Sequence, residues 1–443
     1  MSIPFKPVRL RTAAAGVLAA VTLASAVPHA TAAAPLTAVP YANAVQAAAV
    51  QNTASYQIVA FGDSLAAGYE FGMENQAAPV PYGFVEHVYE QALFQGKRAE
   101  MSNYGILGLR TTGLERFLAG VANSEAVAVS DVLAEGQAEL VDPRAAQILA
   151  AAPAARSALA DAELALVMIG GNDFKSIINL EDPAAALTAM LPEYEKSLEA
   201  SLRAMLEVNP KVQIVVGDQY LPVPSKDSSP LGLELAVYDQ LMTAVDALSA
   251  RVTALAERLT AEGYRVDAAY PSREFAGKEG TYTSVIVTRG KDIHPTSIGY
   301  AAMGRAFADA VWGETRAVLP RAAGVPISVV VNGKEVVSDF KPILKDSRTY
   351  LVLRDIGDAM KAETKWDSKS QTATVSVNGR EVALTIGSST MLVDGKQVAI
   401  DTPAFLQESN GELKTFVPLS VLADGLGYQV TYRGTLKTAF ING

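Results

Sequence analysis

Three short apolar runs in this chain end in the same way. Ile58, Val59, Ala60 and Phe61 lead into Gly-Asp-Ser, ELALVM (163–168) leads into IGGND, and KVQIVV (211–216) leads into Gly-Asp-Gln. Each is about a strand long, lacks polar alternation and stops at glycine or a polar residue, the pattern of a strand buried on both faces. Helix-like segments lie between and beyond them, among them PYGFVEHVYEQALF, PEYEKSLEASLRAMLEV and LAVYDQLMTAVDALSARVTALAERLTAEG. This alternation predicts a parallel sheet covered by helices, hence an α/β domain. In such sheets functional side chains collect beyond the carboxyl ends of the strands, where Ser64, Gly171 and Asn172 fall.

The chain has 443 residues, too many for one core, so a second domain is expected. Residues 115–160, Ala-rich and charged, interrupt the alternation and read as a helical insertion beside the site, a surface helix pair in preference to a lid. LPRAAGVP marks a linker at 319–325, and the texture changes after it. Alternating Val, Thr and Ile surround Asn-Gly and Asp-Gly turns, the signature of hairpins. RTYLVLRDIGDAMKAETKW (348–366) also matches KTFVPLSVLADGLGYQVTY (414–432) at an offset of 66 residues, Tyr350 against Phe416 and Trp366 against Tyr432. A repeated helix and strand of this kind predict a smaller α+β domain over 326–443 with its own core.

Residues 1–32 carry Lys6, Arg9 and Arg11, then a short apolar stretch, then small residues at Ala30-Thr31-Ala32. These are the three parts of a secretory signal, followed by an Ala-rich, poorly ordered lead-in at 33–55. The protein is therefore expected outside the cell or at its surface, with no transmembrane segment once the signal is removed. No cysteine occurs, which excludes disulfides, a lipid-modified cysteine, thiolate metal sites and a thiol nucleophile. The net charge of −10 becomes −13 when the three basic signal residues leave, since no acid leaves with them. That acidity argues against nucleic acid as the main partner.

His29 lies in the signal, so the exported chain keeps only His87 and His294 of its three histidines. A base working near neutral pH is thus nearly chosen already. A hydrolytic site needs a nucleophile, that base, and donors for a developing oxyanion, and four separated stretches supply them. In FGDSLAAGY, Ser64 follows a buried strand and offers its hydroxyl and its own N–H. In NYGILGLRTTG, Gly108 sits in a turn where the missing side chain lets a second N–H approach a ligand. In MIGGNDF, Asn172 offers a side-chain amide. In KDIHPTSIGY, His294 precedes Pro295, and Thr296 is placed to cap the helix that follows.

These four stretches, in this order, resemble the SGNH hydrolases, also called GDSL esterases and lipases, over roughly residues 57–313. The matching positions are Ser64, Gly108, Asn172 and His294. Membership in that family implies a flavodoxin-like three-layer α/β/α domain and a serine nucleophile working without metal or cofactor. It also implies acyl ester or thioester substrates such as lysophospholipids and short-chain esters. The same machinery serves carbohydrate O-acetyl esterases of cell-wall or plant polysaccharide, and a degenerate copy would leave a surface-binding protein. One departure stands out: the family's acid lies three residues before the histidine, where this chain has Lys291. Asp292, two before, is the only acid nearby; either it reaches Nδ1, or a main-chain carbonyl orients the ring and leaves a Ser-His dyad.

The second domain resembles the stalk-type module related to the amino-terminal domain of copper amine oxidases, through VNGKEV, DSRTYLVLRDI, Trp366-Asp367 and KTFVPLSVLADGLG. That resemblance implies cell-wall or surface attachment and no catalysis. The usual proline is replaced by Val352 in the first repeat and kept as Pro418 in the second. Among the remaining residues, Gly105 rivals Gly108 as donor and Asp63 and Asp173 read as loop-orienting. His87 reads as structural or surface, and Trp312 and Trp366 as core. The charged helices from 193 to 265 read as solvated faces.

Overall fold

A computed structural model of the protein describes residues 55–175, 177 and 182–443. The expected signal, and the expected lead-in except Ser55, lie outside the described residues. The first part of the chain runs β1 (Tyr56–Gly62), α1 (Phe84–Phe94), β2 (Ala99–Gly105), α2 (Thr111–Asn123), α3 (Val129–Val132), α4 (Ala145–Ala150) and α5 (Ala152–Ala160). It continues through β3 (Leu164–Met168), α6 (Gly171–Phe174), α7 (Pro183–Val208), β4 (Gln213–Gly217), α8 (Leu235–Ala261) and β5 (Arg265–Ala269). Three helices end it: α9 (Pro271–Phe275), α10 (Glu279–Tyr282) and α11 (Ser297–Trp312).

The five strands form one parallel sheet in the order β2-β1-β3-β4-β5. Alternate residues of the central strands feed two cores. Val59, Phe61, Ala165 and Val167 point into one with residues of α2, α5, α7 and α8, while Ile58, Ala60, Leu164 and Leu166 point into the other with residues of α1 and α11. The result is the expected three-layer α/β/α sandwich. The strand order reverses at β1, which opens a crevice beyond the ends of β1, β2 and β3. Strands β2 and β5, which carry no continuous apolar run, are the edges of the sheet and stay partly exposed.

Residues 115–160 are less separate from this sandwich than expected. Phe117, Leu118 and Val121 of α2, Leu149 of α4 and Leu159 of α5 are fully buried in the core on the α7 side. Only the turn between α3 and α4 reaches the crevice. No described helix is long and apolar enough to cross a membrane.

The second part opens with β6 (Ser328–Val331), β7 (Lys334–Glu335), β8 (Ile343–Lys345), β9 (Arg348–Val352), α12 (Leu353–Met360), β10 (Glu363–Asp367), β11 (Thr372–Val377) and β12 (Arg380–Thr385). It closes with β13 (Thr390–Val393), β14 (Lys396–Ala399), β15 (Phe405–Ser409), β16 (Glu412–Pro418), α13 (Leu419–Gly425), β17 (Gln429–Arg433) and β18 (Thr438–Asn442). Its sheets are antiparallel apart from the β6–β18 pair. The repeat is real: β9-α12-β10 corresponds to β16-α13-β17. Strands β9 and β16 pair with Val352 opposite Phe416, Leu351 opposite Val417 and Tyr350 opposite Pro418. At an offset of 66 residues this pairing exchanges each position with its counterpart, so a pseudo-two-fold axis passes through the Leu351–Val417 pair. Trp366 corrects the expectation of a core residue: it lies on the edge strand β10 and is 42% exposed. Trp312, at the end of α11, is half-buried.

The β6–β18 pair is apolar on both faces. Val329, Val331, Ala439 and Ile441 fill the second domain's own core, and the intervening Val330 and Phe440 enter the hydrolase core beside α1. Phe440 meets Phe94 edge to face at 4.8 Å. Polar contacts frame this patch. Asn442 Nδ2 donates to Leu93 O and Lys97 O past the end of α1, and the Gln429 amide both donates to Ala99 O and accepts its N–H. Arg433 Nε donates to the buried Glu90 at 2.8 Å.

Candidate active site

Gly62 lets the ends of β1 and β3 come together. It has φ +146°, and a Cβ there would sit 1.9 Å from Met168 O, so no side chain fits. The next N–H, that of Asp63, donates to the same Met168 carbonyl at 3.1 Å. The Asp63 carboxyl is fully buried and its Oδ1 accepts the Leu65 N–H at 2.9 Å, which turns the chain so that Ser64 faces the crevice. Burial pushes the Asp63 pKa up to about 7, and its Oδ2 has no hydrogen-bond partner among the described residues.

His294 reaches Ser64 from the loop before α11. Its Nε2 lies 2.8 Å from Ser64 Oγ, and its Nδ1 lies 3.1 and 3.2 Å from the two carboxylate oxygens of Asp292. With Nδ1–H facing a carboxylate, Nε2 is the acceptor for the serine hydroxyl. The unusual two-residue spacing works because Asp292 Oδ1 also accepts the His294 main-chain N–H at 2.9 Å, an Asx turn that folds the carboxylate back onto its own imidazole. Burial alone raises the Asp292 pKa, but the hydrogen bonds and charge of His294 outweigh it and hold the carboxyl below its ordinary value. The loop is pinned on both sides of the histidine. Thr288 Oγ accepts the Asp292 N–H, His294 O accepts the Ser284 N–H, and Thr296 caps α11 through the Gly299 N–H. Tyr69 packs edge to face on the imidazole at 4.7 Å.

Three residues lining the same cavity carry donors. Among the described residues the N–H groups of Ser64 and Gly108 have no protein acceptor, whereas that of Gly105 is taken by Asn103 Oδ1 at 2.9 Å. Gly105 thus has no free main-chain donor, whereas Gly108 keeps its own in a turn whose φ of +83° is the left-handed region that favours glycine. Asn172 Nδ2 donates one hydrogen to Leu109 O at 3.0 Å, which fixes the amide beside Gly108 and leaves its second hydrogen for the crevice. Asp173 accepts the Thr111 N–H and hydroxyl at 3.1 and 3.0 Å, tying this loop to the start of α2. Asp63 and Asp173 are thus loop-orienting, as expected. His87 is far from this chemistry, packed against Gly304 of α11 and Tyr82 in the other core.

Ser64, Gly108, Asn172, Asp292 and His294 line a single cavity of about 800 Å³. Several of its walls were not visible as site residues in the sequence. Tyr69 and Gln219 stand near the nucleophile, Gln137 donates to Gly108 O from the α3–α4 turn, and Leu241, Val245 and Leu248 come from α8. The last three repeat at helical spacing, which reads equally well as ordinary core packing.

Residues 60–302, more than half of the chain, match the GDSL-like Lipase/Acylhydrolase family. The chain belongs to that family. It is a serine ester hydrolase, and small-molecule esters are its substrates. Residues 330–441 of this acylhydrolase match the copper amine oxidase N-terminal domain. The chain is similar to a lipase from a goat rumen metagenome (16% identical, 58% of this chain and 97% of that one, TM-score 0.39). It is also similar to a carbohydrate acetylesterase from Sinorhizobium meliloti (18%, 58% and 99%, 0.33) and an extracellular lipase from Streptomyces rimosus (17%, 58% and 100%, 0.33). No curated protein matches the acylhydrolase.

Proposed function

We propose that Ser64, His294 and Asp292 form a catalytic triad that hydrolyses acyl esters through an acyl-enzyme. Ser64 Oγ attacks the acyl carbon as its proton passes to His294 Nε2, and Asp292 stabilises the imidazolium. The carbonyl oxygen, now negative, takes hydrogen bonds from the Ser64 and Gly108 N–H groups and the Asn172 amide. Collapse expels the alcohol, which leaves with the proton from Nε2. Water then gives its proton to Nε2 and attacks the acyl carbon, releasing the acid and restoring Ser64. The observation that carries this reading is the unbroken relay of 2.8 Å from Ser64 to His294 and 3.1 Å from His294 to Asp292. Ser64→Ala is expected to abolish hydrolysis of p-nitrophenyl butyrate and labelling by a fluorophosphonate probe while leaving the circular dichroism spectrum unchanged. Undiminished hydrolysis would overturn it.

Export and attachment belong to the same proposal. The basic, apolar and small-residue succession of residues 1–32 supports secretion, and amino-terminal sequencing of the protein from culture medium tests it. The match of residues 330–441 to a domain appended to another enzyme supports an accessory role in attaching the hydrolase to the cell wall or surface. Sedimentation of the Ser64→Ala protein with isolated cell wall, and its absence with an unrelated insoluble polymer, tests that role.

A further inference from the structure

The cavity that holds Ser64 and His294 continues between two helices into a wall of a different character. On α8, Leu241, Val245 and Leu248 repeat at i, i+4 and i+7 and so share one face. Leu187 of α7 and Phe174 at the end of α6 oppose them, and Leu221, just beyond β4, joins them. All six line the cavity, and none is more than 9% exposed, so what they offer it is apolar wall with little contact with bulk water.

The packing has a seam here. Leu187, Leu248 and Phe174 belong to the main core on this side of the sheet, while Leu221, Leu241 and Val245 form a small apolar cluster of their own. The cavity runs along the boundary of the two clusters. None of these six residues brings a polar side chain; the polar groups stand elsewhere on the cavity wall, where Gln219 donates to Ile169 O at 2.8 Å, Asp63 turns the nucleophile loop, and Arg110, Lys175 and Lys291 add charge. A sugar hydroxyl in this slot would lose its water with nothing to replace it, whereas methylenes lose nothing and gain contacts.

We propose that the slot between α7 and α8 receives the acyl chain, that the hydrolase prefers medium-chain acyl groups to acetyl, and that Val245 is a specificity-determining residue. The inference rests on the triad reading and adds the substrate class to it. From Leu241 to Leu248 the helix rises about 10 Å, the length of an extended chain of roughly eight carbons. Each methylene taken into such a wall raises kcat/KM by up to roughly fourfold.

The experiment is a chain-length series with the purified full chain on p-nitrophenyl acetate, octanoate and laurate. The wild type is expected to favour octanoate over acetate by more than about tenfold in kcat/KM. Val245→Trp, which fills the middle of the slot, is expected to lose that preference, its kcat/KM on octanoate falling toward its own value on acetate. Val245→Ala, which widens the slot without overpacking and serves if the tryptophan variant does not fold, is expected to raise the ratio of laurate to octanoate. A wild type that cleaves acetate well and gains nothing from octanoate overturns the inference and leaves the triad standing. Variants that change all three rates by the same factor overturn it too. A wild type that cleaves none of the three esters defeats the triad reading, and this inference with it.

Discussion

The Asp292 carboxylate holds His294 at two points, accepting its main-chain N–H at 2.9 Å and lying 3.1 Å from Nδ1. One turn of chain therefore supplies both the fold of the loop and the orientation of the base. Asp292→Asn separates the two functions, since an amide oxygen still accepts the main-chain N–H but no charge faces Nδ1. We expect kcat to fall on the order of ten-thousand-fold, the cost of this change in a serine protease, with KM little altered. A near-normal kcat in stopped-flow or steady-state assays would mean that the loop carbonyls orient the ring without help. The acid stays ionised into the range below pH 3.8, so it does not set the acidic limb of the rate profile above that pH.

Two buried groups titrate in opposition. Burial raises Asp63 from 3.8 to about 7, so its contribution to stability is complete below pH 3.8 and is lost as pH rises through 7. Burial, with Arg433 and Arg305 nearby, lowers His87 from 6.5 to about 4, so its contribution is complete above pH 6.5 and is lost as pH falls through 4. Glu90 lies 3.8 Å from His87 Nδ1 but is engaged by Arg433 and Tyr82. Urea unfolding across pH 4 to 7 should show the split. Asp63→Asn is expected to make stability fall less, or rise more, with pH than in the wild type. His87→Phe is expected to do the reverse, each by as much as one proton's slope, about 1.4 kcal/mol per pH unit. Parallel curves for wild type and both variants would refute these assignments.

The second domain is joined to the first through a buried ion pair. Glu90 has a side chain 3% exposed and meets Arg433 Nε at 2.8 Å, with the Tyr82 hydroxyl on its other oxygen. Removing the guanidinium leaves a buried carboxylate with one neutral donor, a loss of about 3–5 kcal/mol. Arg433→Ala is therefore expected to lower the unfolding midpoint in urea strongly, and addition of Glu90→Gln is expected to recover much of it. Absence of recovery in the double variant would place the cost in lost packing of Arg433 on Tyr82 and Tyr89 instead.

How far these features were legible depends on what each residue's signal records. Strands β1, β3 and β4 are buried on both faces and announce themselves as apolar runs. The edge strands β2 and β5 are half exposed and composed like loops. Ser64, Gly108 and Asn172 follow strand ends and His294 stands in the loop before α11, all in short motifs, so each was locatable before its neighbours were known. The reach of Asp292 was not, because it depends on an Asx turn that closes only in three dimensions. Trp366 looks like core because an aromatic in an alternating strand usually is, but β10 is an edge and its flanks face solvent. The docking of Val330 and Phe440 was hidden for the opposite reason: a strand apolar on both faces reads as a buried strand of its own domain, and nothing in the spacing says that a second core covers the other side.

Asn172 tests the oxyanion site most directly. It stands at the start of the short α6, where asparagine often caps a helix, yet its side chain makes no capping bond and donates to Leu109 O beside Gly108. Its removal should therefore act on the reaction more than on the fold. Asn172→Ala takes away one of three donors without touching the relay from Ser64 to Asp292, and loss of one such donor costs about 10² to 10³ in kcat. Thermal unfolding of the variant is expected to stay within a few degrees of the wild type, while kcat on p-nitrophenyl butyrate falls by that factor at nearly constant KM. If instead stability drops and kcat per folded molecule does not, the amide is a brace for the Gly108 turn, and the oxyanion rests on the two main-chain N–H groups alone.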